Sequence, residues 1–201
     1  MRACFFGDSF INGTGDDEAL GWVGRVAARA RREGRDLTAY NLGIRRDTSA
    51  DIAGRWRGEA ERRLPPAYRH EALLAFSFGA NDCADDERGG PRVPTKRAIA
   101  NTELILGEAS SFAPTVMIGP APLQFEPADR RARALSEAQA ELCGRIGVPY
   151  LAIFDFVASC DAWRRDTSRG DGVHPNKAGY DALAGFVWRW PAFQAWLDSR
   201  K

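Results

Sequence analysis

The chain has 201 residues, and its 28 Lys and Arg against 27 Asp and Glu give a formal net charge of +1 at pH 7. This balance argues against a nucleic acid partner. No apolar run reaches the roughly 18 residues that a membrane-spanning helix needs, so a membrane is not an expected partner. The length suits one hydrophobic core, and we expect a single domain over residues 1–201.

The first predicted strand is the short apolar run at residues 2–6, and Gly7-Asp8-Ser9 follows it directly. Ligands of open α/β sheets bind at the carboxyl ends of strands, so Ser9 is a candidate nucleophile. The same tripeptide is also typical of an ordinary turn. The next segment predicts a helix with Val23, Val26, Ala27 and Ala30 on its apolar face and Arg25, Arg29, Arg31 and Arg32 on a solvated face.

Two further strands are predicted at residues 37–42 and 73–78. Gly43 follows the first of them, and Gly79-Ala80-Asn81-Asp82 follows the second. If these ends meet at one sheet edge, the Gly43 N–H and the Asn81 amide are placed to stabilise a tetrahedral oxyanion. The alternative is that the glycines only permit turns and that Asn81 bonds its own backbone.

The rest of the chain continues the alternation of strand and helix. Strands are predicted at residues 115–118 and 149–153, with a helix between them whose apolar face carries Leu135, Ala138, Leu142 and Ile146. Five strands with intervening helices predict a parallel sheet that is covered on both faces. The loops at 85–94 and 119–127 are long and rich in Gly and Pro, so we expect them to shape a substrate site.

A third chemical signal lies near the C-terminus, in Asp171-Gly172-Val173-His174-Pro175. A serine nucleophile needs an imidazole to take its proton and a carboxylate to orient that imidazole. The three-residue spacing lets Asp171 fold back toward the ring of His174 from one tight turn. Pro175 would suit the first turn of a following helix. The sequence therefore predicts Ser9 as nucleophile, His174 as general base and Asp171 as the orienting acid.

Taken together, these segments resemble the GDSL or SGNH hydrolases, a family named for serine, glycine, asparagine and histidine in four blocks. The resemblance rests on Phe6-Gly7-Asp8-Ser9, Asn41-Leu42-Gly43, Gly79-Ala80-Asn81-Asp82 and Asp171-Gly172-Val173-His174-Pro175. It implies the SGNH hydrolase fold, a flavodoxin-like three-layer α/β/α sandwich with a five-stranded parallel sheet in an order of the 2-1-3-4-5 kind. It also implies a Ser-His-Asp triad and an oxyanion hole formed by Ser9, Gly43 and Asn81.

The function implied is that of a metal-independent esterase or lipase that cleaves acyl esters through an acyl-enzyme. Small or medium acyl esters are the expected substrates, with acetyl esters of sugars and thioesters among the candidates. We expect no cofactor, and a small-molecule ester as the partner. The oligomeric state and the acyl chain length do not follow from the sequence.

Two departures from the family pattern concern the substrate. Phe10 follows Ser9 in place of the leucine that names the family, and Arg45-Arg46 stands where a small residue is more usual. The arginine pair favours an acidic or phosphate-bearing ester, unless both side chains are solvated or pair with Asp47 and Asp51. The candidate substrate contacts are Phe10, Arg45, Arg46 and Phe125.

Two other functions are open at this stage. One is a non-catalytic, flavodoxin-like binding module in which Gly7, Gly13 and Gly15 cradle a phosphate or nucleotide, although the Lys-Ser/Thr ending of a P-loop is missing. A metal hydrolase using Asp8, Asp82, Asp171 and His174 is the third option.

The compartment is inferred from the N-terminus and the cysteines. The chain enters its first strand almost at once, without the pattern of a signal peptide. Its four cysteines, Cys4, Cys83, Cys143 and Cys160, show no metal-ligand spacing, and Cys4 and Cys143 fall within predicted buried elements. Free thiols in a reducing environment are the simplest account, so a cytoplasmic location is expected.

Overall fold

The computed structural model describes residues 1–200 and shows one sheet of five parallel strands in the order β2-β1-β3-β4-β5. The strands are β1 (Arg2–Gly7), β2 (Thr38–Gly43), β3 (Ala72–Ser77), β4 (Thr115–Ile118) and β5 (Tyr150–Leu151). The predicted parallel sheet and its strand order are confirmed. β5 is shorter than the strand predicted at residues 149–153, because it pairs only with Met117 and Ile118 at the end of β4.

Helices cover both faces of the sheet. They are α1 (Ser9–Asn12), α2 (Gly21–Arg32), α3 (Ser49–Arg63), α4 (Ala80–Cys83), α5 (Thr95–Phe112), α6 (Ala128–Ile146), α7 (Phe154–Ser159), α8 (Asp161–Arg169), α9 (Lys177–Arg189) and α10 (Pro191–Asp198), with a 3₁₀ turn at Pro66–Glu71. Among residues 1–200, no helix combines the length and the apolar character needed to cross a membrane.

The three layers follow from the alternation of side chains along the central strands. In β1, Phe5 points to one face, where its ring packs edge-on against Trp22 of α2 and Trp196 of α10. Phe6 points to the other face and packs against Trp56 of α3. Each face of the sheet therefore buries its own apolar layer, and the central strands are buried on both sides.

Arg25 differs from the expectation of a solvated arginine face on α2. Its side chain is buried and forms ion pairs with Asp16, Glu18 and Asp181. Asp16, which is also buried, accepts a further hydrogen bond of 2.8 Å from the N–H of Gly21. Burial raises the pKa of Asp16, but its hydrogen bonds with Arg25 and the backbone outweigh burial and lower it. Arg25 thus ties the loop after α1 to helix α9.

We expect Arg25→Ala to lower the free energy of unfolding by about 3 kcal/mol or more, because it leaves the charge of Asp16 buried without a cation. Arg130→Ala is the control, since it removes only an exposed pair with Glu126 and should cost less than about 1 kcal/mol. Urea unfolding of both variants measures the difference. Equal losses would show that the buried network adds nothing beyond a surface pair.

Candidate active site

Ser9 lies at the carboxyl end of the central strand β1. It is the first residue of α1, and Asp8 caps that helix by accepting a 2.9 Å hydrogen bond from the N–H of Phe10. A side chain on Gly7 would overlap the carbonyl of Ser77 in the neighbouring strand. Glycine is therefore required here, and the tight turn that follows aims the Ser9 hydroxyl out of the sheet edge.

His174 and Asp171 complete a hydrogen-bonded chain with Ser9. The Nε2 atom of His174 lies 2.8 Å from Ser9 Oγ, and its Nδ1 atom lies 2.6 Å from Asp171 Oδ2. The other carboxylate oxygen of Asp171 accepts hydrogen bonds from the N–H groups of Val173 and His174, at 3.0 and 2.8 Å. The structure thus brings the three predicted residues together, and Asp171 folds back within one turn.

The environment keeps Asp171 ionised. Burial tends to raise the pKa of its carboxyl, but the hydrogen bonds from the backbone and ring of His174 and from the backbone of Val173 lower it to about 2. Asp8, next to the serine, behaves in the opposite way. Its burial raises the pKa of that carboxyl to about 7, against the lowering effect of the Phe10 N–H. The negative charge of the site is therefore concentrated on Asp171.

The His174 ring is supported by neighbours on two segments. Phe10, expected to contact substrate, is buried and packs against the rings of His174 and Trp163, with centroids 5.3 and 5.7 Å away. Gly15 has a φ of +89°, and a Cβ there would lie 2.8 Å from the Pro175 carbonyl oxygen and 3.0 Å from His174 Cβ. Phe10 therefore packs against the His174 ring and offers no open surface to a substrate.

Pro175 does not begin the following helix as expected. Helix α9 starts at Lys177, and the side chain of Asn176 accepts a hydrogen bond from the Lys177 N–H as its cap. The Asn176 side chain also accepts a hydrogen bond from the N–H of Asp17 and donates one to its carboxylate. The segment after His174 is thus anchored to the same loop that carries Gly15.

Two of the expected oxyanion donors, the Asn81 amide and the Gly43 N–H, differ in whether they are free to bind a ligand. Asn81, in α4, donates one amide hydrogen from Nδ2 to the carbonyl of Asp47 at 3.1 Å, which leaves the second hydrogen for a ligand. The N–H of Gly43 donates to Asn41 Oδ1 at 3.1 Å. The Gly43 N–H is therefore not available to an oxyanion in this structure, contrary to the prediction, because the Asn41 side chain folds back on it.

Gly43 is needed for packing instead, since a side chain there would overlap the backbone of Asn12 in α1. Further along the same loop, Arg46 has a φ of +70°, in the left-handed region that favours glycine. Within residues 1–200, no group accepts a hydrogen bond from the Arg46 N–H. Its carbonyl accepts one from Arg92 Nη1 at 2.8 Å, which fixes the loop.

A buried polar cluster that the sequence did not reveal joins the loops of Arg46 and Asn81. Asp82 is fully buried and accepts hydrogen bonds from both the N–H and the hydroxyl of Ser49, the first residue of α3. Asn101 donates to the same hydroxyl at 2.9 Å. Burial raises the pKa of Asp82. These residues are too far apart in the sequence for any local pattern to pair them.

The structure also bears on the two alternative functions. Gly7, Gly13 and Gly15 each lie where a side chain would meet protein backbone, namely Ser77, Gly21 and Pro175. Their loop is therefore closed by its own neighbours and does not form an open phosphate cradle. Among residues 1–200, no three His, Cys, Asp or Glu side chains are grouped to hold a metal ion.

A cavity of about 710 Å³ opens beside the histidine and aspartate. Most of its lining side chains are polar or charged, and they include Asp17, Glu18, Arg45, Asp166, Arg169 and Lys177. Of the remaining predicted substrate contacts, Arg46 and Phe125 lie outside the lining of this cavity. Phe125 is 42% exposed on the loop before α6.

The fold is that of an α/β protein whose sheet edge carries a serine, a histidine and an aspartate in hydrogen-bond contact. The chain belongs to the GDSL-like lipase/acylhydrolase family, whose family model matches residues 5–182. The resemblance in the four blocks is thereby confirmed, and the protein is a carboxylic ester hydrolase. A search of curated proteins gives no match.

Solved structures support the fold. A lipase/acylhydrolase from Enterococcus faecalis superposes with a TM-score of 0.70 and 21% identity, over 94% of this chain and 93% of that chain. Axe2, an acetylxylan esterase from Geobacillus stearothermophilus, gives a TM-score of 0.71 and 18% identity, over 93% of this chain and 92% of that chain. At such identities, the likeness concerns the fold alone.

The close approach of Gly15 to His174 leads to a test of ring placement. We expect Gly15→Ala to lower kcat by about tenfold or more, because the added methyl group displaces the base. Gly34→Ala is a matched control, since Gly34 also has a positive φ but a Cβ there meets nothing within 4 Å. Steady-state kinetics and urea unfolding separate the two effects. A comparable loss of kcat in both variants would exclude a specific role for Gly15.

Proposed function

We propose that the protein is a serine esterase in which Ser9 attacks the ester carbonyl, His174 transfers the proton and Asp171 orients the ring. The observation that carries this proposal is the continuous chain of hydrogen bonds, 2.8 Å from Ser9 Oγ to His174 Nε2 and 2.6 Å from His174 Nδ1 to Asp171. Nucleophile, base and orienting acid are all supplied by the protein, so the proposed reaction needs no metal ion.

The two half-reactions use the same proton carrier. His174 takes the Ser9 proton as the serine oxygen bonds to the carbonyl carbon, and then gives that proton to the departing alcohol. The product of this step is an acyl-enzyme on Ser9. A water molecule then attacks the acyl carbon while His174 takes its proton, and His174 returns that proton to Ser9 Oγ as the bond to the acyl carbon breaks and the acid leaves. Ionised Asp171 favours the imidazolium at both stages.

Three donors are proposed for the oxyanion: the N–H of Ser9, the second amide hydrogen of Asn81 and the N–H of Arg46. Among residues 1–200, neither backbone N–H has an acceptor. Arg46 and Asn81 lie together, because Asn81 bonds the carbonyl of the residue next to Arg46. Arg46 thus takes the role expected of Gly43, whose N–H is occupied. Donors that are fixed before the reaction lower the barrier more than mobile ones do.

The charged side chains that line the cavity beside His174 favour a polar alcohol part of the ester. Acetyl esters of sugars fit this description. The names of the structural neighbours, a lipase/acylhydrolase and an acetylxylan esterase, are compatible with it.

The proposal is tested by covalent labelling and by a double-mutant comparison. A fluorophosphonate should modify Ser9, as read by mass spectrometry of the digested protein, and Ser9→Ala should prevent the labelling. Ser168→Ala, at an exposed serine of α8, is the control and should label normally. Ser9→Ala and His174→Ala should each lower kcat by about a thousandfold or more, and the double variant should be little worse. Strictly additive losses would argue against a shared triad.

The oxyanion hole has a separate test in Asn81. Asn81→Ala should lower kcat by roughly a hundredfold with little change in KM, because the amide meets a charge that develops only in the transition state. Asn12→Ala is the matched control, since it removes an exposed amide that bonds the loop after β2 without removing a proposed donor. A raised KM with normal kcat would instead place Asn81 in substrate binding.

A further inference from the structure

We propose that the cavity beside His174 binds an anionic group, a carboxylate or a phosphate, on the alcohol half of the ester, and that Arg45 and Arg169 hold it. This inference rests on the proposed function, because it assumes that the ester reacts at Ser9. The substrate class is then an ester whose alcohol part carries a negative charge.

The carboxylates around the cavity are already engaged by the protein. Asp166 accepts hydrogen bonds from the N–H groups of Asn176 and Gly179, at 3.1 and 2.8 Å. Glu18 pairs with Lys177 and with Arg25. Asp171 is bound to His174. Asp17, the fourth carboxylate of the lining, accepts a 2.6 Å hydrogen bond from Asn176 Nδ2. The acidic side chains of the lining therefore already have hydrogen-bond or ion-pair partners within the protein.

Unlike these carboxylates, the side chains of Arg45 and Arg169 have no partner in the part of the chain that the structure describes. Both line the cavity, and within residues 1–200 the guanidinium groups of Arg45 and Arg169 have no hydrogen bond or ion pair. Two acids close to Arg45 in the sequence have other partners, since Asp47 pairs with Arg55 and Asp51 bonds Thr48. The cavity therefore presents two guanidinium groups that no carboxylate among the described residues contacts.

The placement of the arginines relates this charge to the reaction. Arg169 ends α8, two residues before Asp171, and Arg45 belongs to the loop after β2. The leaving oxygen of the ester must accept its proton from His174, so the alcohol half lies on the histidine side, where the cavity opens. The planar guanidinium group matches the geometry of carboxylate and phosphate oxygens and binds them through paired hydrogen bonds.

The test compares esters that differ only in charge. The substrates are 4-acetoxybenzoate and 4-acetoxyphenyl phosphate, with the uncharged 4-acetoxybenzamide as reference. For the wild-type protein, we expect kcat/KM for an anionic ester to exceed that of the amide by about tenfold at low salt, and the excess to shrink as salt screens the charges. The anion that gives the larger excess distinguishes carboxylate from phosphate.

The variants assign the preference to the two side chains. Arg45→Gln and Arg169→Gln should each lower the ratio of anionic to neutral kcat/KM through KM, and the double variant should bring it near one. Arg165→Gln is the control, because Arg165 is exposed on the same helix but does not line the cavity, and it should keep the wild-type ratio. Equal kcat/KM for charged and neutral esters in the wild type, or a preference that survives in the double variant, would overturn the inference.

A binding measurement separates this inference from the proposed function. Ser9→Ala protein, which cannot turn over, is titrated with 4-hydroxybenzoate and with inorganic phosphate by calorimetry. Binding of at least one anion that is lost in the combined Arg45→Gln and Arg169→Gln background supports the inference even if no ester is cleaved. Absence of binding for both anions overturns it. Failure of the proposed function would be seen in different measurements, namely absence of fluorophosphonate labelling at Ser9 or full ester turnover by Ser9→Ala.

Discussion

The contact on which the site depends is the 2.8 Å hydrogen bond between Ser9 Oγ and His174 Nε2, which joins residues 165 positions apart. Several further contacts hold the same two segments together. Tyr180 donates to the carbonyl of Thr14 at 2.8 Å, and Arg25 bridges Asp16 to Asp181. The loop after α1 and the start of α9 are thus fixed to each other independently of the triad. These polar contacts beside Ser9 and His174 therefore serve to hold the two segments together.

The carboxyl groups around the serine fall into two kinds. Asp171 accepts hydrogen bonds from backbone and ring N–H groups and stays ionised, whereas burial raises the pKa of Asp8 and of Asp82. The first kind stabilises an imidazolium. The second kind shapes the backbone, since Asp8 caps α1 and Asp82 holds the start of α3. The raised pKa of Asp8, at about 7, also lowers the average negative charge beside Ser9 at neutral pH.

The two arginines after the second block show how adjacent residues can take different roles. Arg45 directs its side chain to the cavity, and Arg46 contributes its backbone, held at a positive φ by the loop. Neither pairs with Asp47 or Asp51, which bond Arg55 and Thr48. The arginine pair therefore adds a cation to the lining of the cavity, while the backbone of Arg46 adopts a conformation that favours glycine.

The sequence by itself predicted the strands, the sheet and the candidate residues Ser9, Asp171 and His174, because these predictions depend on local patterns. Continuous apolar runs define the buried strands, Ser9 follows the first of them within two residues, and a three-residue spacing folds Asp171 onto His174. Only the tertiary structure decided that Arg25 is buried and that Ser49 bonds Asp82. Periodicity places Arg25 at the edge of a helix face, but its partner Asp181 lies 156 residues away. A hydrogen bond or ion pair between distant segments leaves no local pattern, so which polar groups are satisfied and which are free for a ligand is settled only when the chain is folded.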